Sequence, residues 1–72
     1  MRPFLQNRLT PRQKKLVALR LRYMGGYSYA FKCSVHELLA SGFTKEELLS
    51  VSVDSTMDQW IDDAIANQMF NT

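Results

Sequence analysis

One stretch of this chain is punctuated for a helix at both ends. Thr10 precedes Pro11, so a hydroxyl stands ready to accept the first free backbone N–H groups, and proline takes the first helical position, where its missing N–H is no loss. Gly25 and Gly26 follow Met24 and supply a positive-φ stop. The spacing predicts a helix from Pro11 to Met24. Leu16, Val17, Leu19, Leu21 and Tyr23 form its apolar stripe, and Arg12, Lys15, Arg20 and Arg22 fall largely outside it. Whatever else the chain does, it must pack against this element.

The chain has 72 residues, which is one domain with room for only a small core. Apolar side chains make up 46% of it, enough to fold, and a core of this size supplies roughly 3–5 kcal/mol. Trp60, four Phe and three Tyr must carry much of that burial. Cys33 is the single cysteine, so no internal disulfide helps, in keeping with a reducing compartment. The apolar runs are too short to span a bilayer, and Arg2 and Pro3 lead into no signal-like segment. The expectation is a complete small cytoplasmic gene product, with a flexible basic arm over residues 1 to 9 and one helical domain over residues 10 to 72. In the arm, Pro3 and the absence of periodicity leave order only where Phe4 or Leu5 docks.

After the first helix the reading divides. YSYAFKC alternates, which places Tyr27, Tyr29, Phe31 and Cys33 on one face of an extended segment; a helix starting at Ser28 competes with it. Ser34 and Glu37 have capping-box spacing and open a short helix to Ser41, ended by Gly42. Thr44 and Glu47 repeat the spacing and open another turn or two through Leu48 and Leu49. LLSVSVD could finish as a short strand paired with YSYAFKC. Asp54 or Ser55 then caps a last helix, about Thr56 to Met69, with Met57, Trp60, Ile61, Ala64 and Ile65 inward. The fold expected is mostly α, a small single-domain helical bundle with helix-turn-helix-like corners and the option of one two-stranded β element.

Charge is sorted along this framework. Residues 1 to 35 hold eight basic side chains and no acid; the rest holds seven acids and Lys45. The two parts carry about +8 and −6 behind a net +2. Self-repulsion disfavours such sorting unless two different surfaces are wanted. Arg2, Arg8, Arg12, Lys14, Lys15, Arg20 and Arg22 are the candidate contacts for a partner or nucleic acid, and Asp58, Asp62 and Asp63 form an acidic protein-binding face.

Signs of chemistry are sparse. Cys33 and His36 lie three apart, near enough on a helix to touch, but a zinc site needs about four ligands and a thiol enzyme needs an orienting group and an oxyanion hole. The default is a small buried thiol beside a surface imidazole, with no metal, no cofactor and no catalytic residue. Gly25-Gly26 lacks the context of a phosphate cradle. Tyr23, Tyr27, Tyr29 and Phe31 among basic residues offer rings that could stack on single-stranded nucleic acid, against the need of so small a core for aromatic side chains; Tyr27 is the best candidate for exposure.

The run LTPRQKKLVALRLRYMGGYSY, Leu9 to Tyr29, resembles the opening of helix-turn-helix modules of the sigma-factor region 4 kind, with two extra residues before Gly26. EELLSVSVDSTMDQWI, Glu46 to Ile61, looks like the second and third helices of such a module. A reading helix needs Arg, Asn or Gln at its front, though, and Asp58, Asp62 and Asp63 would repel phosphates. SYAFKCSVHELLASGFTKEELLSV is similar to the helical hairpin of carboxymuconolactone decarboxylase-like proteins. Counting back from Gly42, the family's histidine position falls on Ser34, so the hairpin carries over without its chemistry. Taken together, the chain resembles the very small transcription regulators that lytic bacteriophages direct at host RNA polymerase. That resemblance implies a non-enzymatic protein that binds RNA polymerase, and nearby RNA or DNA, through its basic segment and alters initiation or termination. The alternatives are a stand-alone nucleic-acid binder, a decarboxylase-like hairpin without catalytic residues, and a weak homodimer in which basic and acidic faces meet.

Overall fold

A computed structural model describes residues 8–70, and the helices run α1 (Pro11–Met24), α2 (Ser28–Ala40), α3 (Lys45–Leu49) and α4 (Ser55–Phe70). The mostly α, single-domain expectation holds. Arg2 and the arm over residues 1 to 7 lie outside the described residues.

The local signals at three helix starts act as the sequence implies. The Thr10 hydroxyl accepts from the Gln13 N–H at 3.0 Å, and the Gln13 side chain accepts from the Thr10 N–H at 2.9 Å, a reciprocal cap at the front of α1. At the other end the Gly25 N–H donates to the Leu21 carbonyl and Gly26 takes φ +79°. Thr44 and Glu47 close the same reciprocal cap on α3, at 3.1 and 2.9 Å. Asp54 caps α4, its Oδ1 accepting from the Met57 N–H at 2.8 Å. Each such cap stabilises by about 1 kcal/mol.

Residues 27 to 54 depart from the strand reading. YSYAFKC is the opening of α2, which runs without a break through Ser34, and among the described residues there is no strand. Phe31, Val35 and Leu38 fall at i, i+4 and i+7, so a helix buries all three, whereas a strand would have put Tyr27 and Tyr29 inside with Phe31. Ser34 therefore starts nothing: a capping box needs its cap residue in an extended conformation, as Thr10 and Thr44 are, and Ser34 lies mid-helix. Ser41 and Gly42, the latter at φ +101°, end α2. LLSVSVD becomes the end of α3 and a turn, with Val51 half-buried and the Ser52 hydroxyl donating to the Asp54 carbonyl.

α2 is the central element, packed on both α1 and α4, with α3 against α4. Leu19, Phe31, Val35, Leu48, Met57 and Ile61 are sealed from solvent, with Leu16, Leu38, Phe43 and Ala64 around them. Tyr23, Phe31 and Trp60 meet edge to face, with ring centroids 4.8 to 6.1 Å apart. Such pairs add about 0.5–1.5 kcal/mol each beyond the area they bury. Leu21 was expected inside and lies outside, for a geometric reason: Leu16, Leu19 and Tyr23 define the inner line of α1, and position 21 stands well off it.

Candidate binding face of the first helix

The inner line of α1 contains Arg12 and Arg20 as well as Leu16, Leu19 and Tyr23, and the fold uses both arginines. Arg12 forks onto the Glu47 carboxylate, Nε to Oε2 at 2.6 Å and Nη2 to Oε1 at 2.8 Å. It also donates to the Gly42 carbonyl and stacks 3.9 Å above the centre of the Phe43 ring. The Arg12 hydrogen bonds, joined by that from the Thr44 N–H, lower the Glu47 carboxyl from 4.5 to about 2. Arg20 Nε donates to the Val51 carbonyl at 3.0 Å. One turn on, the Tyr23 hydroxyl donates to Asp54, 2.8 and 3.1 Å from its carboxylate oxygens, and burial first and Asp54 second raise the phenol above its usual range. Three polar side chains of α1 are thus fastened to the segment from Gly42 to Asp54.

The other cations of α1 have different surroundings. Lys14, Lys15 and Arg22 are exposed, and their side chains make no ion pair or hydrogen bond among the described residues. Lys15 and Arg22 border the groove between α1 and α2, across from Ser34, Glu37 and Ser41. Arg8 is exposed just ahead of α1. Of the seven basic residues singled out from the sequence, the structure brings Lys14, Lys15 and Arg22 onto one accessible side of α1, ties Arg12, whose side chain stays 48% exposed, and the half-buried Arg20 to Glu47 and Val51, and places Arg8 just ahead of α1; Arg2 is not among the described residues.

The acidic face is also partly occupied. Asp62 pairs with Lys45 at 2.9 Å, and Asp63 accepts from the Gln59 side chain at 2.9 Å. Asp58 is exposed in the first turn of α4, where a carboxylate suits the helix dipole.

Cys33 and His36 do not form a working pair. His36 is half-buried, and its Nε2–H donates to the Ala64 carbonyl at 2.8 Å, fastening α2 to α4; it was expected as a surface imidazole. Cys33, expected buried, is half-buried, and the thiol raises the phenol of Tyr29 one helical turn away. Among the described residues, three or more His, Cys, Asp or Glu nowhere gather as a metal site would require.

What sequence reasoning missed is apolar. Leu21 is 59% exposed and Met24 64%, near the turn from α1 into α2, where Leu21 lines one hollow with Tyr27, whose 66% exposure was expected. The sequence did carry a signal, because Leu21 and Met24 stand well around the helix from Leu16 and Leu19, at the angles of Lys14 and Val17. Tyr29 is 78% exposed but borders a different hollow, between α2 and α4, with Lys32, Trp60 and Asp63. No helix among the described residues is long and apolar enough to cross a membrane. No family model, curated protein or solved structure matches the chain, so its reading rests on its own residues.

Proposed function

We propose that this chain is a non-enzymatic regulator that binds bacterial RNA polymerase in the host cytoplasm and alters initiation or termination. The observation that carries the reading is the cationic side of α1. With Arg12 bonded to Glu47 and Arg20 to Val51, Lys14, Lys15 and Arg22 remain exposed with no carboxylate at ion-pair distance, Glu37 lying across the groove from Lys15 and Arg22, and α1 itself has no acid to neutralise them. Three like charges held on one rigid helix repel one another and are relieved by an acidic partner surface. The helix concerned is the one that resembles the start of sigma-factor region 4. Asp58 is exposed on α4 and suits a basic surface, and nearby RNA or DNA would be met by the basic segment to which Arg2 and Arg8 belong.

The test is retention of purified bacterial RNA polymerase by the immobilised protein and by its Lys14→Glu/Lys15→Glu variant. Charge reversal at two exposed positions leaves folding intact and should cut retention at least tenfold at about 0.1 M salt, where exposed charges still act over about 10 Å. Equal retention by the two proteins, or none by the unchanged protein, rejects the reading.

A further inference from the structure

Of the exposed cations of α1, Arg22 borders a hollow of about 410 Å³ at the α1–α2 junction, lined also by Ala18, Leu21, Tyr27 and Ala30. Its walls are apolar apart from Arg22, and no acid borders it. Ala18 and Arg22 also border the adjoining groove, with Lys15 on the α1 side and Glu37 on the α2 side, and Lys14 lies one turn before Ala18 and two before Leu21 on the same side of α1.

One wall is held in place by an unusual arrangement. Gly25 has φ −82° and ψ −4°, a conformation open to any residue, so its backbone does not require glycine. Space does. A Cβ on Gly25 would come within 2.6 Å of Tyr27 Cε2 and 2.9 Å of Cδ2, because the Tyr27 ring lies directly over the Gly25 backbone. The glycine gives an exposed ring a seat, and a seated ring meets a partner with less conformational freedom to lose than a swinging one.

We infer that this hollow receives an acidic amphipathic helix of a protein partner, its apolar side chains entering between Leu21, Tyr27 and Ala30 and its carboxylates reaching Lys14, Lys15 and Arg22. A helix laid in a groove supplies apolar groups at i, i+3 and i+4 and carboxylates beside them, which matches both the apolar walls and the charge on their border. Single-stranded nucleic acid fits less well. The two exposed tyrosines do not make one stacking surface, since Tyr27 borders this hollow and Tyr29 a separate one that holds both Lys32 and Asp63. Leu21 and Met24 offer nothing to a phosphate.

This inference rests on the same side of α1 as the polymerase reading and gives the chemistry of the surface that would be met there. Its test needs no polymerase. The full chain, labelled with nitrogen-15, is titrated with three probes: a helical peptide with leucines at i, i+3, i+4 and i+7 and glutamates elsewhere, the same peptide with lysines for glutamates, and a 15-nucleotide oligouridine. The acidic peptide should shift the amides of Ala18, Leu21, Arg22, Tyr27 and Ala30, and the lysine peptide should not bind. Gly25→Ala, which displaces the Tyr27 ring without touching charge, and Leu21→Ser should each weaken binding about tenfold while keeping the helical circular dichroism. Oligouridine shifting these amides in place of the peptide, peptide shifts confined to α4, equal affinity for both peptides, or no binding overturns the inference. Peptide binding without polymerase retention would retire the polymerase and keep the hollow; retention without peptide binding would do the reverse.

Discussion

Arg12 and Lys14 stand two residues apart on one helix and have opposite fates. Arg12 points along the inner line of α1 and is gripped by Glu47, Gly42 and the Phe43 ring; Lys14 points outward and meets no partner among the described residues. Arg20 and Arg22 repeat the contrast two turns later, one bonded to Val51 and the other bordering the open hollow. A run of like charges in a sequence is therefore not a measure of free surface charge. Helical phase divides it, and the part that folding uses cannot also serve a partner.

The contrast can be broken most severely through the core on which the inner line rests. Phe31→Ala removes the ring that meets Tyr23 and Trp60 and should cost about 3–5 kcal/mol, comparable to the whole stability of a domain this size. Urea unfolding followed by circular dichroism should show a largely unfolded chain at 25 °C. A cooperative transition within 1 kcal/mol of the parent, by the scale of buried-ring deletions, would mean that α1 is not anchored there.

A smaller effect belongs to Asp54, which caps α4 and accepts from Tyr23 of α1 with one carboxylate. Asp54→Ala should cost about 1–2 kcal/mol, and Asp54→Asn, which keeps a capping oxygen, should recover most of it. Equal losses for the two would place the energy in the charge and not in the cap.

Glu47 sharpens the comparison through pH. Its carboxyl stands at about 2 in the folded protein against 4.5 ordinarily, so the folded state holds the ionised form more firmly than the unfolded chain does. Its contribution is present in full above pH 4.5 and fades as the pH falls toward 2. Glu47→Gln should flatten that part of the stability profile, and an unchanged slope between pH 4.5 and 2 would show that the Arg12 fork does not persist in solution. The smallest effect falls on the outer cations: Lys14→Gln, Lys15→Gln and Arg22→Gln should each alter stability by no more than about 0.5 kcal/mol in thermal or urea unfolding.

Local chemistry made α1 legible from Pro11 to Met24, because Thr10, Pro11 and the two glycines act within a few residues of the atoms they satisfy. The same holds for Thr44 with Glu47, and for Asp54. The start of α2 was not legible. Tyr27 provides no side-chain cap, and YSYAFKC suits a strand and a helix alike until Phe31, Val35 and Leu38 are seen to share one buried line. Ser34 and Glu37 show how a correct spacing misleads when the chain is already helical on both sides. At the candidate face, exposure of Tyr27 was foreseen. The partners of Arg12 and Arg20 were not, because Glu47 and Val51 lie 35 and 31 residues away and are brought near only by tertiary packing. The phase of Arg12 and Arg20 with Leu16 and Tyr23 was in the sequence throughout; drawing the stripe broadly enough to hold Leu21 concealed it.

The central claim is that folding and binding draw on different cations of the same helix. Its most direct test measures two properties on two single variants, Arg12→Gln and Lys14→Gln: urea stability, and retention of RNA polymerase at low salt under conditions where both proteins are folded. Arg12→Gln should lose stability and keep retention, and Lys14→Gln should keep stability and lose retention. The reverse assignment, or two variants that behave alike in both measurements, would contradict it.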